Sequence, residues 1–245
     1  MSRSRRGRPE GTASGPYAPG SFLAGLGVDE LADLHTLVRA RLFTDGQQLL
    51  RQGDTGAQLL LVHQGTTKVR MDTGDGRAIL LGLRGRGEVL GELRYLTGRP
   101  RTASVLATGR VQALVLDFPA FDGLVRRHPR VLAELARTLA DRLAWADRRR
   151  AEFGQPVVVR IRRVLTELGR AVLAEQRAAG QPADPADLVV PVTQRELGQL
   201  AGAAEVSVQK AVRELDRVGW LKRQYGRITL TRPVDLDDGP PEHRG

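Results

Sequence analysis

Thr193-Gln194-Arg195-Glu196-Leu197-Gly198-Gln199-Leu200-Ala201-Gly202 carries its own start and stop signals. Thr193 with Glu196 three residues on is a capping box: hydroxyl and carboxylate each satisfy a backbone N–H that a helix start leaves open. The helix runs to Leu200, and Gly202 makes the turn. Downstream, Val208, Val212 and Leu215 recur on one face from about Glu205 to Val218, where Gly219 stops the pattern. Trp220-Leu221, a turn at Tyr225-Gly226-Arg227 and Ile228-Thr229-Leu230 then read as a β-hairpin. Helix, tight turn, helix and hairpin make a winged helix-turn-helix, whose second helix has the dimensions to enter a DNA major groove.

Moving back along the chain, Leu188 to Val192 is a short strand preceded by a loop with Pro182 and Pro185. Val158, Ile161, Val164, Leu165, Leu168, Val172 and Leu173 predict a helix from about Val157 to Ala179, and Gly154-Gln155-Pro156 separates it from an earlier one. That earlier helix, opened by Pro129, carries Leu132, Leu135, Ala136, Leu139, Leu143 and Ala146 as a stripe between Arg130 and Phe153. Such a stripe has to be covered, either by its copy across a two-fold axis or by the chain's own sheet. Arg148 to Arg150 lie at the hinge, suited either to a polyanion or to the negative end of the helix dipole.

From Arg41 to Asp117 the period changes to short apolar runs divided by glycine at Gly53, Gly65, Gly74, Gly76, Gly85, Gly87 and Gly109. This predicts an antiparallel barrel or sandwich, with hairpins clearest at Gly53-Asp54 and Asp75-Gly76. In its middle, Gly91-Glu92-Leu93 through Pro100-Arg101-Thr102 sets a glycine, a carboxylate, a guanidinium and a hydroxyl within a dozen residues. Those groups suit a phosphorylated sugar, a phosphate taking the backbone N–H and Arg fork and a ribose hydroxyl taking the carboxylate. The alternative is that Glu92 and Arg101 simply pair with each other. Pro119 opens a short helix, and Phe22 to Val38 predicts one or two more, with Asp29 as a cap. Residues 1–20, rich in Gly, Pro, Ser and Arg, read as a disordered basic arm, and 235–245 as a flexible tail.

Bulk composition narrows the function classes. The 245 residues carry a formal charge of +10, which favours a polyanionic partner. No cysteine is present, so disulfides, thiolate zinc and iron–sulfur ligation are excluded. His35, His63, His128 and His243 are scattered without ligand spacing, and no nucleophile–base pair or P-loop appears, so no enzyme, metal or obligatory cofactor is expected. With neither a membrane-length apolar run nor a signal peptide, the expected location is cytoplasmic.

Roll, long helix and winged helix in this order resemble the cyclic-AMP receptor protein and fumarate–nitrate regulator (Crp-Fnr) family of bacterial transcription factors. The resemblance covers roughly residues 22–232 and rests on the 91–102 and 193–202 motifs. It implies an α+β chain with a cyclic-nucleotide-binding-type antiparallel β-roll over 21–127, a long dimerisation helix and hinge over 128–154, and a winged helix-turn-helix over 155–234. By position, Gly91, Glu92, Leu93, Arg101 and Thr102 would hold the ribose and phosphate of an effector such as cAMP. Trp145 and Asp147 fall where the family meets the base. Arg94 departs from the family's small residue there, with a bulk and charge that bear on the pocket. At the output end Glu205, Val206 and Gln209 would face bases, Lys210 and Arg213 guanine or phosphates, and Thr193, Arg195, Ser207, Lys222 and Arg227 the backbone phosphates. Glu205-Val206 replaces an Arg–Glu pair of the best-known members, which implies a different half-site. The implied partners are double-stranded DNA, a second copy in a homodimer and, for an activator, RNA polymerase. Loss of nucleotide dependence, and a regulatory subunit acting on proteins, are the alternative functions.

Overall fold

The computed structural model describes residues 17, 18, 20–224 and 226–232. Residues 1–16 and 19 of the expected arm, the 235–245 tail and Tyr225 of the expected turn lie outside them. Six strands, β1 (Arg39–Phe43), β2 (Gln48–Leu50), β3 (Gln58–Asp72), β4 (Ala78–Arg84), β5 (Val89–Leu90) and β6 (Ser104–Asp117), form one antiparallel sheet. Its order is β1-β6-β3-β4, with β2 also on β6 and β5 on β3. β1 escaped the sequence reading because four of its five residues are exposed and leave no apolar alternation.

Two expected turns are not turns. Gly65 lies inside β3 and Gly109 inside β6, and the β3–β6 register slips between Val62 and Gln64 and again between Gln64 and Thr66. At φ +91°, with the Arg110 carbonyl and Val111 packed against its Cα, Gly65 makes a bulge that bends the strand without ending it. The hairpin at Asp75-Gly76 does join β3 to β4. Asp29 is not the cap of α1 (Val28–Leu37): Gly27 is, and its N–H donates to Glu30 Oε2 at 2.6 Å.

A short helix, α2 (Glu92–Thr97), follows β5, and after β6 come α3 (Phe118–Arg127) and α4 (Arg130–Ala151). The α4 stripe is only partly covered within the chain. Leu135, with Val131 beside it, is fully buried with Phe121 and Leu124 against the roll, whereas Leu132 and Leu143 are 39% and 61% exposed. A single turn at Glu152–Gly154 leads into α5 (Val157–Ala178), β7 (Leu188–Val190), α6 (Gln194–Ala201), α7 (Glu205–Arg217), β8 (Leu221–Gln224) and β9 (Arg227–Leu230). The second sheet runs β7-β9-β8. Buried Ile161, Leu165, Leu197, Val208, Val212 and Leu230 close the core of this half. Phe153 at the hinge lies against Gly202 in the turn, and Arg160 donates to Ala201 and Gly202 carbonyls at 2.6 and 2.9 Å, satisfying the end of α6.

The two halves meet along β4. Gln199 on α6 extends the sheet edge as a strand would, accepting from Leu80 N at 2.9 Å and donating to Ala78 O at 2.8 Å. Beside it Lys68 pairs with Glu196 at 2.8 Å, and Thr66 donates to Glu175 at 2.7 Å. Leu80 of the roll is buried in the winged-helix core.

Candidate functional site

β5 ends at Leu90, and Gly91 at φ +85° turns the chain into α2 (Glu92–Thr97), a short helix that the sequence pattern does not announce. A Cβ at position 91 would overlap Arg101 Nη1, so glycine is what lets the guanidinium approach the backbone here. Arg101 is 6% exposed and its Nη2 is anchored to the carbonyls of Gly56 (3.2 Å) and Gln58 (2.7 Å). Its Nη1 is buried without a hydrogen-bond partner among the described residues. Arg101 and Glu92 do not pair. Burial, with Arg94 nearby, lowers the Arg101 pKa, against which Asp54 and Glu92 act.

These residues line a cavity of about 420 Å³ between roll and α4. Gly91, Glu92, Leu93, Arg101 and Thr102 border it, as do Leu50, Val69, Leu81, Leu139, Leu143 and Ala146. Glu92 is engaged by a residue sequence reading passed over. Arg142 on α4 donates to Glu92 at 2.7 Å, to Glu88 at 2.5 Å and to the Val89 carbonyl at 2.8 Å. A fourth guanidinium, Arg84, also borders the cavity; burial and then Arg142 push its pKa down to about 10, which leaves it charged at neutral pH.

Arg94 does not fill the cavity. Its guanidinium donates to the carbonyls of Thr55, Gly56, Gly98 and Arg99 at 2.7–3.1 Å, stapling the loop after α2 to the loop before β3. Trp145 does border the cavity, with its indole N–H turned out toward Glu167. Asp147 does not: Arg142, Trp145 and Ala146 share one face of α4, and Asp147 falls on the next, 60% exposed and paired with Arg150. Its expected place beside the base is therefore not met within one chain.

At the other end Thr193 caps α6 as its sequence demands, accepting from Glu196 N at 3.1 Å. Glu205, Val206, Lys210 and Arg213 are exposed on α7, and Ser207 and Gln209 half-buried. Val206 is 78% exposed and Val208 fully buried, so packing claims only the second. Thr193, Arg195, Lys222 and Arg227 are all exposed. Donors and a hydrogen-bonding amide thus project from one helix and its flanks, as groove and phosphate contacts require.

Residues 40–128 match the model of the cyclic nucleotide-binding domain, and residues 159–238 that of the Crp-like helix-turn-helix domain. The chain belongs to the Crp-Fnr family of transcription regulators. It is 28% identical over 190 residues to the CRP-like cAMP-activated global transcriptional regulator of Mycobacterium tuberculosis, covering 77% of this chain and 82% of that one. With the cyclic AMP receptor protein of Thermus thermophilus it shares 27% over 214 residues, 87% and 94% of the two chains. The solved structure of a CRP/FNR-family transcriptional regulator, also from Thermus thermophilus, superposes with a TM-score of 0.62 at 25% identity, covering 79% and 94%.

Within this Crp-Fnr chain the cavity arginines differ in how visible they were. Arg142 sits on the Leu139–Leu143–Ala146 side of α4, and a lone cation among stripe residues is a signal for a buried partner. Arg84 ends an apolar run and reads as the ordinary polar end of a strand; only the fold turns it inward.

Proposed function

We propose that this regulator works as a cytoplasmic homodimer in which a cyclic nucleotide, held between the roll and α4, controls the binding of two winged helices to a pseudo-palindromic double-stranded DNA site. The observation that carries it is Arg101 Nη1, a buried cationic donor with no partner among the described residues, set against the bare backbone of Gly91. A buried guanidinium so placed favours an anion, and a cyclic phosphodiester supplies acceptors in the geometry of the fork. Glu92, already oriented by Arg142, is suited to a ribose hydroxyl. Cyclic AMP is the effector named for the relatives. The exposed Leu132 and Leu143 on α4 supply the face for a second copy, which sets the two α7 helices about one DNA turn apart. Effector binding shifts the balance between two hinge geometries around Phe153–Pro156. No helix among the described residues is long and apolar enough to cross a membrane.

Calorimetry on the full-length protein tests the cassette: Arg101→Ala abolishes cyclic-nucleotide binding, and unchanged affinity overturns the assignment. A mobility-shift titration with and without the nucleotide tests the control, since equal operator affinity would mean a regulator independent of it.

A further inference from the structure

The cavity's buried side-chain atoms that lack a hydrogen-bond partner among the described residues are all donors: Arg101 Nη1, Arg142 Nε and Arg84 Nε. An occupant that leaves them unmet forfeits hydrogen bonds the protein has already arranged, so the cavity selects for acceptors. A phosphate accounts for Arg101, and Arg142 is held by Glu92 and Glu88. Arg84 is unaccounted for.

Its position follows from the chain of charges that leads away from the Gly91 corner. Glu92 is followed by Arg142, then Glu88, then Arg84, whose Nε lies 4.0 Å from Glu88 Oε2. Residues 82 and 84 lie on the same face of β4. Because position 82 is glycine, the Arg84 guanidinium folds back over it, with Nη1 2.7 Å from where a Cβ would stand. The hydrogen bond it makes is local, Nη1 to the Leu83 carbonyl at 2.7 Å. The side chain is 18% exposed. Around it Leu50, Val69, Leu81 and Trp145 give the cavity apolar surfaces fit for a flat ring.

The two purines differ in what they offer such a donor. Guanine presents two acceptors, O6 and N7, which an arginine meets in bidentate fashion, whereas adenine offers N7 beside an amino donor. Within one chain no carboxylate is left to accept from an adenine amino group: Asp147 lies outside the cavity, and Glu88 and Glu92 are taken by Arg142. Resting on the cyclic-nucleotide reading, we propose that Arg84 is a specificity-determining residue by which this pocket selects a guanine-type base, with acceptors at O6 and N7, over adenine.

Calorimetry with the full-length protein and three probes tests it: the 3′,5′-cyclic monophosphates of guanosine, adenosine and inosine. Hypoxanthine keeps O6 and N7 but lacks the N2 amino group, so it isolates the acceptor edge. The guanosine and inosine nucleotides are expected to bind about tenfold or more tighter than the adenosine one, in the range of a bidentate arginine–guanine contact. Arg84→Leu should bring all three within about threefold, while an unchanged far-UV circular dichroism spectrum and a cooperative melt show that the variant is folded. Adenosine binding as tightly as guanosine, inosine following adenosine, or a preference that survives in Arg84→Leu each overturns the proposal. Should that variant not fold, the ranking of the three probes on the native protein decides. If none binds the native protein, the cyclic-nucleotide reading itself falls, and this inference with it.

Discussion

Trp145 donates its indole Nε1–H to Glu167 Oε2 at 2.9 Å, so a ring that borders the roll's cavity is bonded to the first helix of the winged domain. Arg149 reinforces the link. It lies 4.2 Å over the Trp145 ring, donates to the same Glu167 oxygen at 2.7 Å, and reaches the Leu200 carbonyl at the end of α6 at 3.3 Å. Cavity, α4, α5 and α6 are thus joined by three side chains.

On the proposed mechanism, a ligand that shifts the ring would break or re-form those bonds and so couple the two sites. Trp145→Phe keeps an aromatic wall and removes the donor. We expect nucleotide affinity to change by less than about threefold while the nucleotide's effect on operator affinity falls by about fivefold or more, near the lower end of ordinary allosteric couplings. Titrations of operator with and without nucleotide measure this, and undiminished coupling would show that the bond carries none of it.

Arg94 and Arg101 are both arginines of the cassette with different work. Arg101 keeps a donor free toward the cavity, while Arg94 spends its donors on four carbonyls of two loops. Arg94→Ala should therefore loosen the loop and weaken nucleotide binding by roughly tenfold or less, the loss of preorganisation. Arg101→Ala should remove binding altogether. Calorimetry on the two variants side by side separates the roles, and equal losses would place Arg94 in contact with the ligand.

Glu196 has two duties, capping α6 and holding Lys68 across the seam. Burial alone would raise its pKa; hydrogen bonds from Lys68 and Thr193 and the charge of Lys68 outweigh it, so the folded pKa lies below the ordinary 4.5. A carboxylate depressed in this way stabilises the folded state fully above its ordinary value, and the contribution fades as pH falls from there through the folded pKa. Wild type should melt about 2–4 °C above Glu196→Gln at pH 7, the shift expected for ~1 kcal/mol in a chain of this size. The gap should narrow as the pH falls below 4.5 and through the depressed folded pKa. A gap that does not narrow would mean the carboxylate's charge is not what holds the seam.

Much of this architecture was legible because local chemistry and tertiary structure agree. The Thr193–Glu196 box, the Gly202 turn and the Asp75-Gly76 hairpin each specify a short-range geometry that the fold leaves intact. What sequence did not disclose depends on distant partners. Gly65 reads the same whether it ends a strand or bulges one, and only pairing with β6 decides. α2 is hidden because six residues carry too little periodicity. Asp147 and Arg142 are five residues apart, and which faces the cavity is set by the rotation of α4 that packs its Val131 and Leu135 with Phe121 and Leu124. Lys68 and Glu196, 128 residues apart, carry no sign of each other.

The DNA face makes the last expectation quantitative. Arg195, Lys222 and Arg227 are exposed on α6, β8 and β9, three cations per protomer placed for backbone phosphates. A dimer engaging all six would release about five counterions, giving a log–log slope of operator affinity against salt near −5. Arg195→Ala removes two cations per dimer and should flatten the slope by about 1.8 while weakening related and unrelated sequences alike. Lys210→Ala on α7, at a position proposed to face bases, should instead change the preference between half-sites. Fluorescence anisotropy over a salt series measures both, and a slope unmoved by Arg195→Ala would take α6 off the DNA.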